Sequence, residues 1–220
     1  VGKAIEKSSR HALARCISSG IILVALLLSP TGDAGAQTLI GTIKVGNQPG
    51  GVDVNPTTNR IYVVNEPSGT ISVIDGGTSV VIASVSLGTR SRSVAVNAST
   101  NRIYVTHYFL KSVSVIDGAD NTIIATVNLA GNATGVDVNP TTNRIYVASI
   151  ADDSQGGTLA GVSVIDGADN TIIATVPIGD QSPSSAGSVA VAVNSTTDRI
   201  YVGSGNPNLV SVINGATNSV

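Results

Sequence analysis

The sequence Asn-Arg-Ile-Tyr-Val at residues 59–63 decides the fold, because it returns along the chain. It recurs unchanged at 101–105 and 143–147, and as Asp-Arg-Ile-Tyr-Val at 198–202. A second motif, Ser-Val-Ile-Asp-Gly at 72–76, follows each copy in the same order, at 114–118, at 163–167 and, as Ser-Val-Ile-Asn-Gly, at 211–215. The first two periods are 42 residues long and the third is 55. This periodicity indicates one structural unit repeated in tandem.

Each period contains four short runs of β-branched residues, which in the first repeat lie near 51–54, 60–64, 70–74 and 80–87. Turn-forming sequences separate the runs, such as Asn-Pro-Thr-Thr-Asn after the first and Asp-Gly-Gly after the third. Four antiparallel strands, A to D in chain order, are typical of one β-propeller blade. A single blade cannot bury both of its faces, so its neighbours must cover them. We therefore predict an all-β fold of stacked four-stranded blades, with the tyrosines of the Arg-Ile-Tyr-Val motif packed between them.

The repeats resemble those of the YVTN family of β-propellers. The resemblance rests on Tyr62-Val63-Val64-Asn65 and its equivalents, each followed by Ser-Val-Ile-Asp-Gly and a strand similar to Thr-Ile-Ile-Ala-Thr-Val, and it covers nearly all of 38–220. The final Asn of the motif is replaced in three repeats, by His107, Ser149 and Ser204. The resemblance implies a propeller fold and an extracytoplasmic setting, and it implies no single activity.

The number of blades is left open by the sequence. Residues 38–45 match a D strand, and the fourth repeat reaches only the start of its own D strand at 217–220. The first segment is thus expected to complete the last blade of a closed four-bladed ring, or the repeats form part of a larger ring, for example a seven-bladed one. We favour the larger ring.

The first 36 residues are interpreted as a signal peptide, and 37–220 as the propeller domain. Four basic residues precede an apolar run at 17–28, and Ala34-Gly35-Ala36 forms a small-x-small cleavage site. An uncleaved anchor is the alternative, but the apolar run is short for a membrane span. Residues 37–220 carry eight basic and twelve acidic residues and no cysteine, so a nucleic-acid partner and disulfides are not expected. The expected location is secreted, periplasmic or at the cell surface, with membrane contact only through the export signal.

The loops that differ between repeats predict where a ligand binds. The A–B and C–D turns share one face of the propeller and barely vary, whereas the B–C and D–A loops share the other face and hold insertions near 150–161 and 179–187. Loops on a rigid scaffold are where binding groups collect. The candidate binding residues on this second face are His107, Tyr108, Phe109, Arg90, Arg92, Glu66, Asp152 and Asp153.

The sequence offers no recognisable catalytic set or transition-metal site. Residues 37–220 contain a single histidine, His107, which we expect to be a solvated loop residue, so neither a catalytic triad nor a zinc site can be picked out. Calcium is the one cofactor left open, because Asp152, Asp153 and Asp180 are oxygen donors on the same face. We predict no catalytic residue and no metal-binding residue.

Two recurring charged positions are interpreted as structural. Asp53 and Asp137 occupy equivalent A-strand positions near the central channel, where we expect hydrogen bonds to the backbone of the adjacent blade. The arginine of Arg-Ile-Tyr-Val should lie opposite the aspartate of Val-Ile-Asp-Gly across a B–C hairpin, which predicts three ion pairs: Arg60–Asp75, Arg102–Asp117 and Arg144–Asp166.

These observations favour a noncatalytic binding or scaffolding propeller that recognises a protein or polysaccharide of the cell envelope through the B–C and D–A loops. Two alternatives remain: a propeller enzyme of the lactonase or lyase kind, and a structural spacer of a surface layer. The enzyme would require several carboxylate or histidine side chains to converge near the ring axis.

Overall fold

A computed structural model describes residues 39–88, 90–152, 158–178, 189–205 and 208–220. Residues 42–220 form one compact unit. The predicted signal peptide at 1–36 lies outside the described residues. Within these ranges, we find no helix with the length and apolar character needed to cross a membrane.

The described residues form fifteen strands in four antiparallel sheets, which confirms the predicted all-β fold. Each sheet corresponds to one sequence repeat, and we number the sheets as blades 1 to 4. The first three have the strand orders β1-β2-β3-β4, β5-β6-β7-β8 and β9-β10-β11-β12, and the fourth is β13-β14-β15. The strands are β1 Pro49–Asn55, β2 Arg60–Asn65, β3 Thr70–Asp75, β4 Val80–Ser86, β5 Ser91–Asn97, β6 Arg102–His107, β7 Ser112–Asp117, β8 Thr122–Asn128, β9 Asn132–Asn139, β10 Arg144–Asp152, β11 Thr158–Asp166, β12 Thr171–Ile178, β13 Val189–Asn194, β14 Arg199–Ser204 and β15 Leu209–Asn214.

The fourth blade does not show the closed four-bladed ring, which was one of the two alternatives that the sequence left open. Its sheet has three strands, and residues 39–45, which were expected to supply a fourth, contain no strand. The last described residues add only an isolated bridge between Asn214 and Ser219. Within the described residues, the N-terminal segment therefore does not complete blade 4, and the larger ring that we favour stays a prediction.

Tight turns with left-handed residues join the A and B strands. The last turn residue has a φ of 52° at Asn59, 53° at Asn101, 52° at Asn143 and 50° at Asp198. Asn and Asp tolerate this conformation better than most residues, which explains their recurrence at this position. The N–H of Gly76 donates to the Asn59 carbonyl at 2.8 Å, and a Cβ at position 76 would collide with the Asn59 side chain. The glycine after the C strand is therefore required for the C–D turn to contact the A–B turn.

The loops fall on two sides of the sheets, as predicted. The A–B and C–D turns meet through the Gly76–Asn59 hydrogen bond and its equivalents in all four blades, and we call this side the turn face. The B–C turns and D–A loops meet on the other side, which we call the loop face; there Leu87 N donates to Gly69 O at 2.7 Å. The variable loops of the sequence therefore share one side of the structure.

Apolar side chains hold consecutive blades together in three clusters. In each cluster the back face of one blade packs against the front face of the next. Between blades 1 and 2, the back face supplies Tyr62, Val64, Ile71, Val73 and Leu87, and the front face supplies Val94, Ile103, Val105 and Ile116. Equivalent residues pack between blades 2 and 3 and between blades 3 and 4. Tyr62, Tyr104 and Tyr146 are fully buried, which confirms the predicted packing role for three of the four tyrosines, whereas Tyr201 is 39% exposed and does not confirm it.

Side-chain hydrogen bonds also join consecutive blades. The amide of the asparagine that ends the A strand of blades 1 to 3 donates to the left-handed turn residue of the next blade at 2.8 Å, in the pairs Asn55–Asn101, Asn97–Asn143 and Asn139–Asp198. We call these contacts the asparagine clasps. Two A-strand carboxylates accept from the backbone of the following blade, Asp53 from Val96 N and Asp137 from Val193 N, each at 2.7 Å. The structural role predicted for both aspartates is confirmed.

The predicted cross-strand ion pairs are only partly correct. The register is as expected, since Arg60 lies opposite Asp75, Arg102 opposite Asp117 and Arg144 opposite Asp166. Among the described residues, however, only Arg102 and Asp117 form an ion pair, at 3.1 Å. The other two arginines reach across to the next blade, where Arg60 Nη1 donates to the Gly118 carbonyl at 2.7 Å and Arg144 Nη1 to the Gly215 carbonyl at 3.1 Å.

Candidate functional site

Four of the predicted binding residues form one cluster on the loop face of blade 2. The guanidinium carbon of Arg90 lies 4.7 Å from the centre of the Phe109 ring, and that of Arg92 lies 5.2 Å from the centre of the Tyr108 ring. The two rings meet edge to face, with centroids 4.8 Å apart and an interplanar angle of 84°. Both guanidinium-to-ring distances are within the range of cation–π attraction. We call these four residues the arginine–aromatic cluster.

The pairing of β5 with β6 brings the cluster together. Ser91, the first residue of β5, lies opposite His107, the last residue of β6, so the residues beyond these strand ends are neighbours. The N–H of Tyr108 donates to the carbonyl of Arg90 at 3.2 Å, which extends the hydrogen bonding between β5 and β6 by one residue pair. An irregularity between Ser91 and Val94 interrupts the regular pairing at Arg92. The two arginines and the two aromatic rings are thus positioned by the end of a rigid hairpin.

A pocket of about 400 Å³ adjoins the cluster between blades 1 and 2 and shares Arg90 with it. Its other lining residues are Gln48, Glu66 and Pro67. Of these, only Glu66 and Arg90 were predicted from the sequence. Gln48 occupies the position in blade 1 that Arg90 occupies in blade 2, so aligning the repeats could have identified it. The pocket places a guanidinium, a carboxylate and an amide around one open cleft.

The charge of this region is mainly positive. Arg90, Arg92 and Lys111 are all exposed on the loop face of blade 2, and Glu66 is the acidic residue of the pocket. The described residues show no ion pair for either arginine of the cluster. A guanidinium stacked on a ring keeps its N–H edge available, and this edge binds a carboxylate through two parallel hydrogen bonds. The arrangement is suited to an acidic ligand.

His107 does not belong to this exposed surface, and the prediction of a solvated loop histidine is wrong. Its side chain is 1% exposed and lies inside blade 2 at the end of β6. Nδ1 is 3.1 Å from Ser91 Oγ, and Nε2 is 2.8 Å from Ser114 Oγ. The equivalent residue of blade 1, Asn65, likewise bonds the hydroxyls of its own blade. His107 is therefore a structural polar residue that no ligand on the loop face can reach.

The burial of His107 makes the stability of the protein depend on pH. Burial lowers the pKa of His107 below its ordinary value of about 6.5, so the unfolded chain takes up this proton more readily than the folded one. The stability that the folded protein gains by keeping His107 unprotonated is complete above about pH 6.5 and decreases as the pH falls below it.

We expect the wild type to lose more stability than the His107→Asn variant between about pH 7 and pH 5, by at most about 2 kcal/mol, the limit for one proton over this interval. Asparagine is the matched replacement because blade 1 carries it at this position. Urea unfolding at several pH values measures the difference. Parallel pH profiles for the two proteins would contradict the assignment.

The acidic candidates lie mostly outside the region that can be described. Asp152 is the last residue of β10, but the placement of its side chain is not described, and Asp153 and Asp180 lie outside the described residues. Calcium binding, which the sequence left open, is therefore not tested by the described residues. In the described part of the chain, we find no group of three or more His, Cys, Asp or Glu side chains that could hold a metal ion.

The carboxylates of the A strands, Asp53 and Asp137, are engaged within the protein. Asp137 accepts hydrogen bonds from Val193 N and from Val138 N, at 2.7 and 2.8 Å. Burial raises the pKa of Asp137, and the charge of Asp53 acts in the same direction, while the two backbone N–H groups oppose the shift. Both Asp53 and Asp137 thus serve contacts between blades.

Comparisons with known proteins define the class of fold. No protein-family model matches the sequence, and no curated protein matches it. Among solved structures, hydrazine synthase of Kuenenia stuttgartiensis superposes with a TM-score of 0.66 at 18% identity, over 84% of this chain and 51% of that one. The dihydro-heme d1 dehydrogenase NirN superposes with a TM-score of 0.58 at 16% identity, over 77% of this chain and 35% of that one. At these identities the similarity shows the fold alone.

The fold is a β-propeller. The described sheets, their stacking and the superpositions agree on this class. The chain spans about half the length of the hydrazine synthase chain that it matches, and about a third of the NirN chain.

Proposed function

We propose that this chain is a noncatalytic binding module of the YVTN type that acts outside the cytoplasm and recognises an acidic protein surface of the cell envelope through its loop face. The observation that carries the proposal is the arginine–aromatic cluster, with Arg90 over Phe109 and Arg92 over Tyr108. The repeat pattern and the signal-like sequence at 1–36 support the extracytoplasmic location.

A protein partner fits this cluster better than a polysaccharide. Tyrosine, phenylalanine and arginine are enriched at the centres of protein interfaces, and tyrosine and arginine are frequent among the residues that dominate binding energy. Phe109 and Leu110 are 58% and 52% exposed, so the cluster offers apolar area beside its charges. In the pocket, the exposed Glu66 can accept a hydrogen bond from a polar group of the same partner. The partner should therefore present carboxylates next to an apolar side chain.

The test compares envelope proteins captured by the wild type and by an Arg90→Ala/Arg92→Ala variant. We expect the partner to bind this variant at least about 30-fold more weakly, which corresponds to the loss of one strong interface residue. Arg199→Ala is the matched control, since it removes an exposed arginine from the turn face and should bind normally. The partner is identified by mass spectrometry and purified, and its affinity for each of the three proteins is measured by calorimetry.

Two results would contradict the proposal. If the partner binds the double variant and the wild type with equal affinity, the arginine–aromatic cluster is not part of the binding site. Capture that survives protease digestion of the extract but is abolished by periodate oxidation would assign a polysaccharide partner instead.

A further inference from the structure

The pocket between blades 1 and 2 is lined by two opposite charges that do not form an ion pair with each other. Glu66 contributes a carboxylate from the B–C turn of blade 1, and Arg90 contributes a guanidinium from the loop that precedes β5. Among the described residues, the ion pair of the structure joins Arg102 to Asp117 instead. The pocket therefore presents a cation and an anion that are both available to a ligand.

Each of the two charged residues is held by contacts within its own blade. The guanidinium of Arg90 lies over the Phe109 ring of blade 2, at 4.7 Å from its centre. The backbone of Glu66 is held in blade 1, because its N–H donates to the Gln48 carbonyl at 3.3 Å and its carbonyl accepts from the Gly69 N–H at 3.4 Å. These contacts position the cation and the anion in different blades, on either side of the boundary that the pocket occupies.

The backbone at the pocket is strained in the same way in both blades. Gln48 and Arg90 occupy equivalent positions of the repeat, and both are left-handed, with φ values of 47° and 61°. Glycine, asparagine and aspartate adopt this conformation with less strain than residues with long side chains. Both long polar side chains nevertheless line the pocket. Local strain of this kind is concentrated at binding sites, which favours a ligand here.

The lining groups define the chemistry of that ligand. A guanidinium binds a carboxylate through two parallel hydrogen bonds, and a carboxylate accepts hydrogen bonds from an ammonium group. The amide of Gln48 offers both a donor and an acceptor, and Pro67 adds an apolar wall. The volume of about 400 Å³ is within the range of sites for small molecules. A small zwitterion with an apolar side chain matches all of these groups.

We propose that this pocket binds a free amino acid, with its carboxylate on Arg90, its ammonium group on Glu66 and its side chain against Pro67. The amide of Gln48 forms a further hydrogen bond to one of the two charged groups. The amino acid is a second ligand and goes beyond the protein partner proposed above. Arg90 is common to the two sites, whereas the aromatic rings of the cluster do not line the pocket.

The test titrates the purified full chain with leucine and with two analogues, in a calorimeter. The analogue 4-methylpentanoate lacks the ammonium group, and 3-methylbutylamine lacks the carboxylate. We expect leucine to bind with a dissociation constant of about 1 mM or below. Each analogue should bind at least about tenfold more weakly, because it leaves one charge of the pocket without its partner.

Two variants assign each charge of leucine to one residue of the pocket. Glu66→Gln should weaken leucine at least about tenfold and reduce its advantage over 4-methylpentanoate to about threefold or less, because the ammonium group has lost its anion. Arg90→Gln should do the same to the advantage of leucine over 3-methylbutylamine. Glutamine is the matched replacement for Arg90, since blade 1 carries Gln48 there with the same left-handed backbone. A misfolded variant would lose all three ligands, so this selective pattern does not arise from a folding defect.

The control is Lys111→Gln. Lys111 is exposed on the loop face of blade 2 and does not line the pocket, so the variant loses a positive charge nearby and should bind leucine as the wild type does. An equal loss of leucine binding in this variant would indicate a general effect of charge and overturn the proposal. The titration contains no envelope protein and the capture experiment contains no amino acid, so either proposal can fail without the other.

Three further results would also overturn the proposal. The first is the absence of leucine binding up to about 10 mM. The second is equal binding of leucine and 4-methylpentanoate to the wild type, which would indicate a site for anions alone. The third is unchanged leucine binding in the Glu66→Gln variant, because the ammonium group would then lie elsewhere.

Discussion

Tyr104→Ala should destabilise the protein by about 3–5 kcal/mol, whereas Tyr201→Ala should destabilise it by less than about 1 kcal/mol. The two tyrosines occupy the same position of the repeat, but Tyr104 is fully buried between blades 2 and 3 and Tyr201 is 39% exposed on the end of blade 4. Removing a buried aromatic ring leaves a cavity that the surrounding sheets cannot fill. Urea unfolding at a concentration where the chain is monomeric compares the two variants.

Tyr104→Phe distinguishes the contribution of the aromatic ring to stability from that of its hydroxyl group. The Tyr104 hydroxyl oxygen is buried with no hydrogen-bond partner, and burial raises the pKa of Tyr104 to about 12. Its removal should therefore leave the stability unchanged or raise it by up to about 1 kcal/mol, because an unsatisfied buried polar group is lost. Similar effects for Tyr104→Ala and Tyr201→Ala would mean that blade packing does not supply the stability of the propeller.

The repeat made the architecture predictable from the sequence. A motif that returns in register, with four β-branched runs per period, leaves few alternatives to stacked four-stranded blades. The hairpin register was also predictable, because the B–C turn fixes which residues lie opposite each other. It placed Arg60 opposite Asp75 correctly. The sequence could not show that Gly118 O of the next blade lies within reach, so the destination of the Arg60 side chain was mispredicted.

The candidate site was predictable in part for the same reason. Strand alternation placed Arg90, Arg92, Tyr108 and Phe109 on one face, but their stacking depends on the irregularity between Ser91 and Val94, which no motif reveals. His107 was misplaced because it was interpreted as a loop residue. Its counterparts Asn65 and Ser204 end their strands, Ser149 lies within β10, and all three side chains are buried. Aligning the four copies would have assigned the histidine to the interior.

Loss of a single asparagine clasp should also have a large effect, with Asn97→Ala destabilising the protein by about 2–4 kcal/mol. Asn97 is fully buried; its oxygen accepts from Ser99 N at 3.1 Å and from Ser99 Oγ at 2.7 Å, and its amide donates to Asn143. Alanine removes these bonds and leaves the Asn143 oxygen without its donor. In Asn194→Ala only the turn cap is lost, because Asn194 forms no clasp with the described residues, and the cost should stay near about 1 kcal/mol.

The difference between these two variants isolates the clasp, since both remove the turn cap. Asn143→Asp tests the acceptor side and should retain the clasp, because blade 4 carries Asp198 there and receives the same hydrogen bond from Asn139 at 2.8 Å. An amide that donates to a carboxylate forms a stronger bond than one that donates to another amide. Denaturant unfolding of Asn97→Ala, Asn194→Ala and Asn143→Asp measures all three effects. If Asn97→Ala and Asn194→Ala lose the same stability, the clasp adds nothing beyond the turn cap, and the apolar clusters alone hold consecutive blades together.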